Sequence, residues 1–161
     1  EPQINRIKGL IGRMEQMIMK DMPAGPSPVL TRTFQSRANE LKAVRKDVTM
    51  MAQKLGCGTE VVQDLVLAVD EACQNIIRHA YGEDQEGEIT LNIFQEDREL
   101  VVMLRDFAES IDVEMVKPRD LNDLRPGGLG THFIAEVMDR VEFMPPPSDG
   151  GNLLRMVKRI S

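Results

Sequence analysis

Three polar residues, each one helical turn from the next, are the first candidates for chemistry in this sequence: Glu71, Asn75 and His79. A four-residue spacing stacks side chains along one side of a helix, and the apolar pattern predicts a helix over residues 60–81. Solvated helix surfaces often carry such pairs, which is the alternative interpretation. Two features weaken it: asparagine is a poor residue inside a helix, and the neighbours of Asn75 are apolar.

A cluster of glycines, Gly127, Gly128 and Gly130, precedes a helix predicted to end near residue 138. Glycines let backbone N–H groups approach a ligand closely, and a helix N-terminus favours phosphate. The cluster lacks the lysine and hydroxyl residue of a Walker motif, so a P-loop is excluded. The alternative is a loop that only requires unusual backbone angles.

Asp106 is the third candidate, because it comes directly after a predicted strand over residues 100–104. That strand is apolar on both faces and is therefore predicted to be central. A carboxylate at such a strand end is well placed to accept a hydrogen bond from a ligand amine, although aspartate also forms turns. The irregular segment 107–125 that follows has the length of a lid or binding loop.

The order of the predicted elements defines the fold class. A strand (29–35), a helix to residue 55 with Ser36 as its N-cap, and the 60–81 helix with Thr59 as its cap come first. Strands over 89–93 and 100–104, the glycine-led helix, and a hairpin over 140–144 and 153–160 follow. This is not strict strand–helix alternation. It predicts an α+β fold, a two-layer α/β sandwich with a mixed or antiparallel sheet and helices on one face.

The N-terminal segment is predicted to be separate from this domain. Residues 1–22 have coiled-coil a/d spacing, carried by the residues Ile4, Ile7, Ile11, Met14 and Ile18. A helix packed on its own domain and a linker or dimer stalk are both open, so a homodimer is one expectation. The Pro- and Gly-rich residues 23–28 form a predicted linker, and 29–161 the main domain.

Composition excludes several classes of protein. The net charge of −6 argues against binding to nucleic acid or anionic lipid. The apolar runs are too short for a membrane helix. Cys57 and Cys73 fit neither a disulfide framework nor a zinc site, so they are expected to be buried thiols in a reducing, cytoplasmic compartment.

The candidates together resemble one family. The stretch from Ala68 to Tyr81, AVDEACQNIIRHAY, is similar to the Asn-containing box of the anti-sigma-factor serine/threonine kinases. GGLGTHFI from Gly127 is similar to their glycine box, and LRMVK near the C-terminus to their closing strand. The resemblance covers about residues 29–160. It implies the Bergerat-type ATP-binding fold that histidine kinases, gyrase B subunits, Hsp90 and MutL share.

The resemblance also implies roles for individual residues. Asn75 would bind Mg²⁺ through its amide oxygen, Glu71 would orient or deprotonate the attacking hydroxyl, and Asp106 would accept from the adenine amino group. Mg²⁺ prefers hard oxygen ligands of this kind. The residues expected to contact the ATP phosphates lie in or directly before the glycine box: Arg125, Gly127, Gly128, Leu129, Gly130 and Thr131. Arg125 is included for its position only, and His79 is given no catalytic role.

One departure concerns the adenine site. The family usually has Asp-x-Gly there, whereas this chain has alanine at the third position, Ala108. A positive φ at this position would strain alanine, and a negative φ would not. A weak or degenerate nucleotide site is therefore one alternative.

Three functions follow from the resemblance and its departure. The first is a protein serine/threonine kinase that phosphorylates a STAS-domain antagonist, and also holds a sigma factor, by partner switching. The second is an interaction module without turnover. The third is the catalytic domain of a histidine kinase, which the absence of a histidine outside the motifs argues against, since only His79 and His132 are present.

Overall fold

The computed structural model describes residues 27–81, 87–108 and 129–160, and these form five strands and three helices. The strands are β1 (Leu30–Gln35), β2 (Glu88–Glu96), β3 (Glu99–Asp106), β4 (Arg140–Phe143) and β5 (Asn152–Arg159). The helices are α1 (Leu41–Lys54), α2 (Thr59–Asn75) and α3 (Leu129–Val137). A 3₁₀ turn (Ala38–Glu40) precedes α1, and a π-helical turn (Ile76–Ala80) follows α2.

The strands form one sheet in the order β1-β2-β3-β5-β4. Every pairing within the described residues is antiparallel, so the choice left open between a mixed and an antiparallel sheet is resolved here. β3 lies in the middle, as its apolar sequence predicts, and the predicted α+β class is confirmed.

One face of the sheet forms the core with the helices. Strand residues alternate between faces, so Leu91, Leu104 and Leu154 lie side by side on β2, β3 and β5. The buried residues of α1 recur at helical spacing, and most of them match the sequence prediction: Leu41, Val44, Val48, Met51 and Ala52. Burial of this stripe gives the helical layer its position on the sheet.

Both predicted N-caps are wrong. Ser36 is buried, and its hydroxyl accepts a hydrogen bond from the Gly87 backbone N–H at 3.0 Å. Ser36 lies directly after the last paired residue of β1, and its hydroxyl bonds to the backbone just before β2. It therefore does not cap a helix. For α2, the N-cap is Gly58, without a side-chain hydrogen bond, and Thr59 is the first helical residue.

The predicted 60–81 helix is regular only as far as Asn75. The next five residues form a π-helical turn, in which the Tyr81 N–H donates to the Ile76 carbonyl at 3.3 Å. This wider turn interrupts the four-residue spacing. Glu71 and Asn75 therefore share one line along α2, whereas His79 lies beyond its end.

Several predictions concern residues outside those that the structure describes. They are the helix at 1–22, most of the linker at 23–28 and most of the lid segment, and the domain boundaries stay predictions. Within the described ranges, no helix combines the length and apolarity that crossing a membrane requires.

Candidate functional site

Two contacts fix the direction of α2 across the sheet. Near its start, the Asp64 carboxylate accepts from Lys158 Nζ at 3.0 Å, close to the end of β5. Just after its end, the Tyr81 hydroxyl accepts from the Phe107 N–H at 2.6 Å, directly after β3. Since β3 and β5 are antiparallel, α2 runs from the Lys158 end of the sheet to the end where Asp106 lies.

The same lysine shows which way α3 runs. Lys158 Nζ also donates to the Val137 carbonyl, the last residue of α3, at 2.6 Å. The helix therefore ends at the Lys158 end of the sheet. Ile134 is buried in the core, so α3 lies over the sheet rather than beyond it. Its first turn is consequently directed toward the Asp106 end.

Glu71 and Asn75 lie on the side of α2 that faces α3. They share a helical flank with Asp64, which lies seven residues before Glu71 and is tied to the α3–β5 side by its lysine. Asp70 lies on the opposite flank, where it accepts from Arg45 of α1 at 2.7 Å. Both Glu71 and Asn75 are half-buried, unlike a fully solvated surface pair.

One end of the sheet thus gathers most of the described candidates. Glu71 and Asn75 come from the last turns of α2, and Asp106 from the end of β3. The backbone of Leu129, Gly130 and Thr131 forms the described start of α3. Arg125, Gly127 and Gly128 lie outside the described residues.

Asp106 is a buried carboxylate held by hydrogen bonds from Asn152 and from the Ala108 backbone. Its Oδ1 accepts from the Asn152 side-chain amide and from the Ala108 backbone N–H, both at 3.0 Å. The second bond spans two residues, as the turn interpretation expects. Burial raises the pKa of the Asp106 carboxyl, and the bonds from Asn152 and Ala108 oppose that rise. A buried acceptor is thereby fixed at the edge of the site.

Ala108 occupies its position without backbone strain. Among the described residues other than glycine, only Asp97 has a positive φ. Alanine at position 108 therefore adds a methyl group but no left-handed conformation.

Sequence reasoning missed three residues around Asp106. Tyr81 is the single tyrosine of the chain, and it joins the end of α2 to the end of β3. Gly151 has φ +85°, and a Cβ there would lie 2.1 Å from the Asp106 carbonyl oxygen. Asn152 follows it. The Gly150-Gly151 pair was the available signal, because consecutive glycines mark backbone that other residues cannot adopt.

A surface groove lies away from these residues. It has a volume of about 540 Å³ between α1 and α2 and is lined by residues such as Arg45, Val66 and Asp70. Among the described candidate residues none lines it, and it is on the flank of α2 opposite Glu71 and Asn75.

The donor chemistry near Asn75 fits Mg²⁺. Among the described residues, no three His, Cys, Asp or Glu side chains form a metal cluster. The amide oxygen of Asn75 is a hard ligand on the flank that faces the start of α3. Mg²⁺ is commonly bound by one or two protein oxygens together with substrate phosphates and water. Asn75 would supply the protein oxygen.

The profile of the histidine kinase-like ATPase domain matches residues 34–158, from β1 to β5. The chain belongs to this family. Every described element that positions Glu71, Asn75 and Asp106 lies inside the matched range.

Comparison with individual proteins shows which members of the histidine kinase-like ATPase family this domain resembles. It is 31% identical to the serine-protein kinase RsbW of Halalkalibacterium halodurans, covering 78% of this chain and 80% of the relative. It is 32% identical to RsbW of Bacillus cereus, with 78% and 81% covered. The domain is therefore an RsbW-like member of the family.

A solved structure supports the fold. The structure of the RsbU and RsbW domains of Rv1364c from Mycobacterium tuberculosis superposes with a TM-score of 0.57 at 16% identity. The match covers 85% of this chain and 33% of that one. At this identity, the likeness concerns the fold of the ATPase domain alone.

Proposed function

We propose that this domain is a protein serine/threonine kinase that transfers the γ-phosphoryl group of ATP to a STAS-domain antagonist protein. The observation that carries the proposal is the buried Asp106 carboxylate at the end of the sheet toward which Asn75 and the start of α3 are directed. Asp106 can accept a hydrogen bond from the amino group of a base, and Asn75 can bind a metal ion through its amide oxygen. Their position at one end of the sheet suits the binding of a nucleoside triphosphate. The names of the RsbW relatives support the serine kinase class.

The chemistry requires little of the protein beyond positioning and charge. Mg²⁺, when bound, neutralises charge on the phosphates. Asn75 holds the metal through its amide oxygen, and Asp106 accepts from the adenine amino group. Glu71, one turn before Asn75, orients the substrate hydroxyl and takes its proton as the oxygen bonds to phosphorus and ADP leaves.

The phosphate contacts come from the glycine box. Gly127, Gly128 and Gly130, with Leu129 and Thr131, are assigned to the phosphates, because the N-terminus of a helix favours phosphate. Arg125 adds a positive charge before the box. These assignments rest on the resemblance and on the direction of α3.

Partner binding completes the proposal. In one nucleotide state the domain holds a sigma factor, and in another it holds and phosphorylates the antagonist. A homodimer through residues 1–22 and a cytoplasmic location belong to the same proposal. Neither nucleic acid nor membrane is a direct partner.

A second candidate is an interaction module without turnover. Ala108 favours this candidate. The family's glycine lets adenine lie against the backbone, and the methyl group of Ala108 narrows that space. The unstrained φ at Ala108 favours the kinase instead.

Two measurements decide between these functions. Calorimetry with Mg-ATP is expected to give heat at millimolar nucleotide or below. Incubation with γ-labelled ATP and STAS-domain proteins of the source organism is expected to give acid-stable phosphoserine or phosphothreonine. Binding without transfer favours the interaction module, and acid-labile phosphohistidine would point to the histidine kinase class.

A further inference from the structure

Asp106 and Asn152 are direct cross-strand partners at the end of the β3–β5 pairing. Both are buried, with 4% and 8% of their surfaces exposed. The Asn152 amide nitrogen donates to Asp106 Oδ1 at 3.0 Å. A buried polar pair of this kind is costly unless the hydrogen bond is made, so each side chain limits where the other can lie.

A second donor binds the same oxygen. The Ala108 backbone N–H also meets Oδ1 at 3.0 Å. Two donors converging on one oxygen define the rotation of the carboxylate about its Cβ–Cγ bond. The Asn152 backbone N–H also bonds to the carboxylate, so the orientation of Oδ2 is set together with that of Oδ1.

We propose that Asn152 is a positioning residue for base recognition, which holds Asp106 so that Oδ2 accepts from the 6-amino group of adenine. The proposal rests on the proposed ATP-binding function. Asn152 acts through Asp106.

The amide of Asn152 suits this role chemically. It donates a hydrogen bond without adding a charge, and a donor of this kind favours the ionised form of its acceptor. An ionised carboxylate only accepts hydrogen bonds. It therefore pairs with the 6-amino group of adenine and repels the 6-carbonyl oxygen of guanine. Asn152 thereby contributes to the choice of base.

The test compares two nucleotides that differ only at this group. ATP and purine riboside 5′-triphosphate, which lacks the 6-amino group, are titrated with Mg²⁺ into the full chain. Asn152→Ala is expected to weaken ATP about 3- to 10-fold, as for one lost hydrogen bond, and to leave the purine analogue nearly unchanged. The ratio of the two dissociation constants is the readout, because general loosening of the site would weaken both.

Two further variants complete the design. Asn92→Ala removes a strand amide that accepts from Thr31 outside the site, and it is expected to leave the ratio at its wild-type value. Asn152→Asp keeps the shape of the side chain and replaces the donor with a carboxylate. It is expected to abolish the preference for ATP at pH 8, where repulsion displaces Asp106, and it serves if the alanine variant fails to fold.

The outcomes separate the two claims. Equal weakening of both nucleotides by Asn152→Ala, or an unchanged ratio in both variants, would overturn the positioning role and leave the ATP-binding function standing. A wild-type chain that binds neither nucleotide would overturn the proposed function and the role of Asn152 with it.

Discussion

Tyr81 and Phe107 join the two elements that carry the candidate site. The Tyr81 hydroxyl accepts from the Phe107 backbone N–H at 2.6 Å and donates to the Glu88 carbonyl at 2.7 Å. Tyr81 lies six residues after Asn75, and Phe107 directly follows Asp106. One phenol therefore couples the end of α2, across the start of β2, to the end of β3.

Tyr81→Phe is expected to lower the free energy of unfolding by about 1–3 kcal/mol, because two hydrogen bonds are lost and the ring is kept. It is also expected to weaken ATP binding, since Asp106 loses its link to α2. Urea denaturation and calorimetry check these effects. Thr49→Val is a suitable control, because that hydroxyl donates to the Arg45 carbonyl within α1, away from the candidate site. Equal effects of the two variants would contradict the coupling role.

Glu71→Gln is expected to reduce phosphoryl transfer by about 10²- to 10⁴-fold, the range for losing a general base. Affinity for Mg-ATP should change little, because Glu71 is assigned to the hydroxyl and not to the nucleotide. Transfer to the STAS protein and calorimetry measure the two quantities. Glu60→Gln, in the first turn of the same helix, should leave transfer unchanged. Full transfer by the Glu71 variant would remove its assigned role.

Asn75→Ala is expected to abolish the contribution of Mg²⁺ to ATP affinity. The variant should bind ATP with the same dissociation constant in Mg²⁺ as in EDTA, whereas the wild type should bind more tightly in Mg²⁺. Gln74→Ala is the neighbouring control, since the Gln74 amide bonds to Asp70 and Arg78 on the other flank of α2. A Mg²⁺ effect that survives in the Asn75 variant would assign the metal to another residue.

Local sequence pattern predicted what depends on local periodicity. The apolar residues 100–104 predicted a central strand with Asp106 at its end, and a four-residue spacing predicted a shared line for Glu71 and Asn75. The π-helical turn was not predicted, because apolar spacing does not distinguish it from the end of an α-helix. Nor was Asn152, since its contact with Asp106 joins residues 46 positions apart.

Asp106→Asn is expected to change both the stability of the fold and the choice of base. Burial raises the pKa of the Asp106 carboxyl above its ordinary value. Because the folded-state pKa lies above the unfolded value, protonation of Asp106 stabilises the folded protein. This stabilisation is complete below the unfolded pKa and is lost as the pH rises through the folded pKa. The uncharged variant should therefore be more stable than the wild type at pH 7, and the difference should shrink on acidification.

The same variant should change the preferred base. Asn152 and Ala108 both donate to one oxygen, so the amide oxygen of the new side chain should take that place and direct its NH₂ group toward the base. A donor there opposes the 6-amino group of adenine and suits a 6-carbonyl oxygen. Titrations with ATP and inosine triphosphate are expected to show a shift toward inosine. An unchanged preference would mean that Asp106 does not contact the base.

Alanine substitutions at Gly150 and Gly151 form a matched pair that tests the close approach of β5 to Asp106. Both have a positive φ, +89° and +85°, so alanine at either position is strained by about 1–2 kcal/mol. Only Gly151 is crowded: a Cβ there would lie 2.1 Å from the Asp106 carbonyl oxygen, whereas a Cβ at Gly150 meets nothing within 4 Å.

Gly151→Ala should therefore cost about 1–3 kcal/mol more than Gly150→Ala in urea denaturation, the usual penalty for overpacking. The obstacle is backbone, which cannot rotate away, so β3 must shift at Asp106. Gly151→Ala should then weaken ATP binding, and Gly150→Ala should not. Equal stability and equal ATP affinity in the two variants would mean that the β3–β5 contact does not determine the position of Asp106.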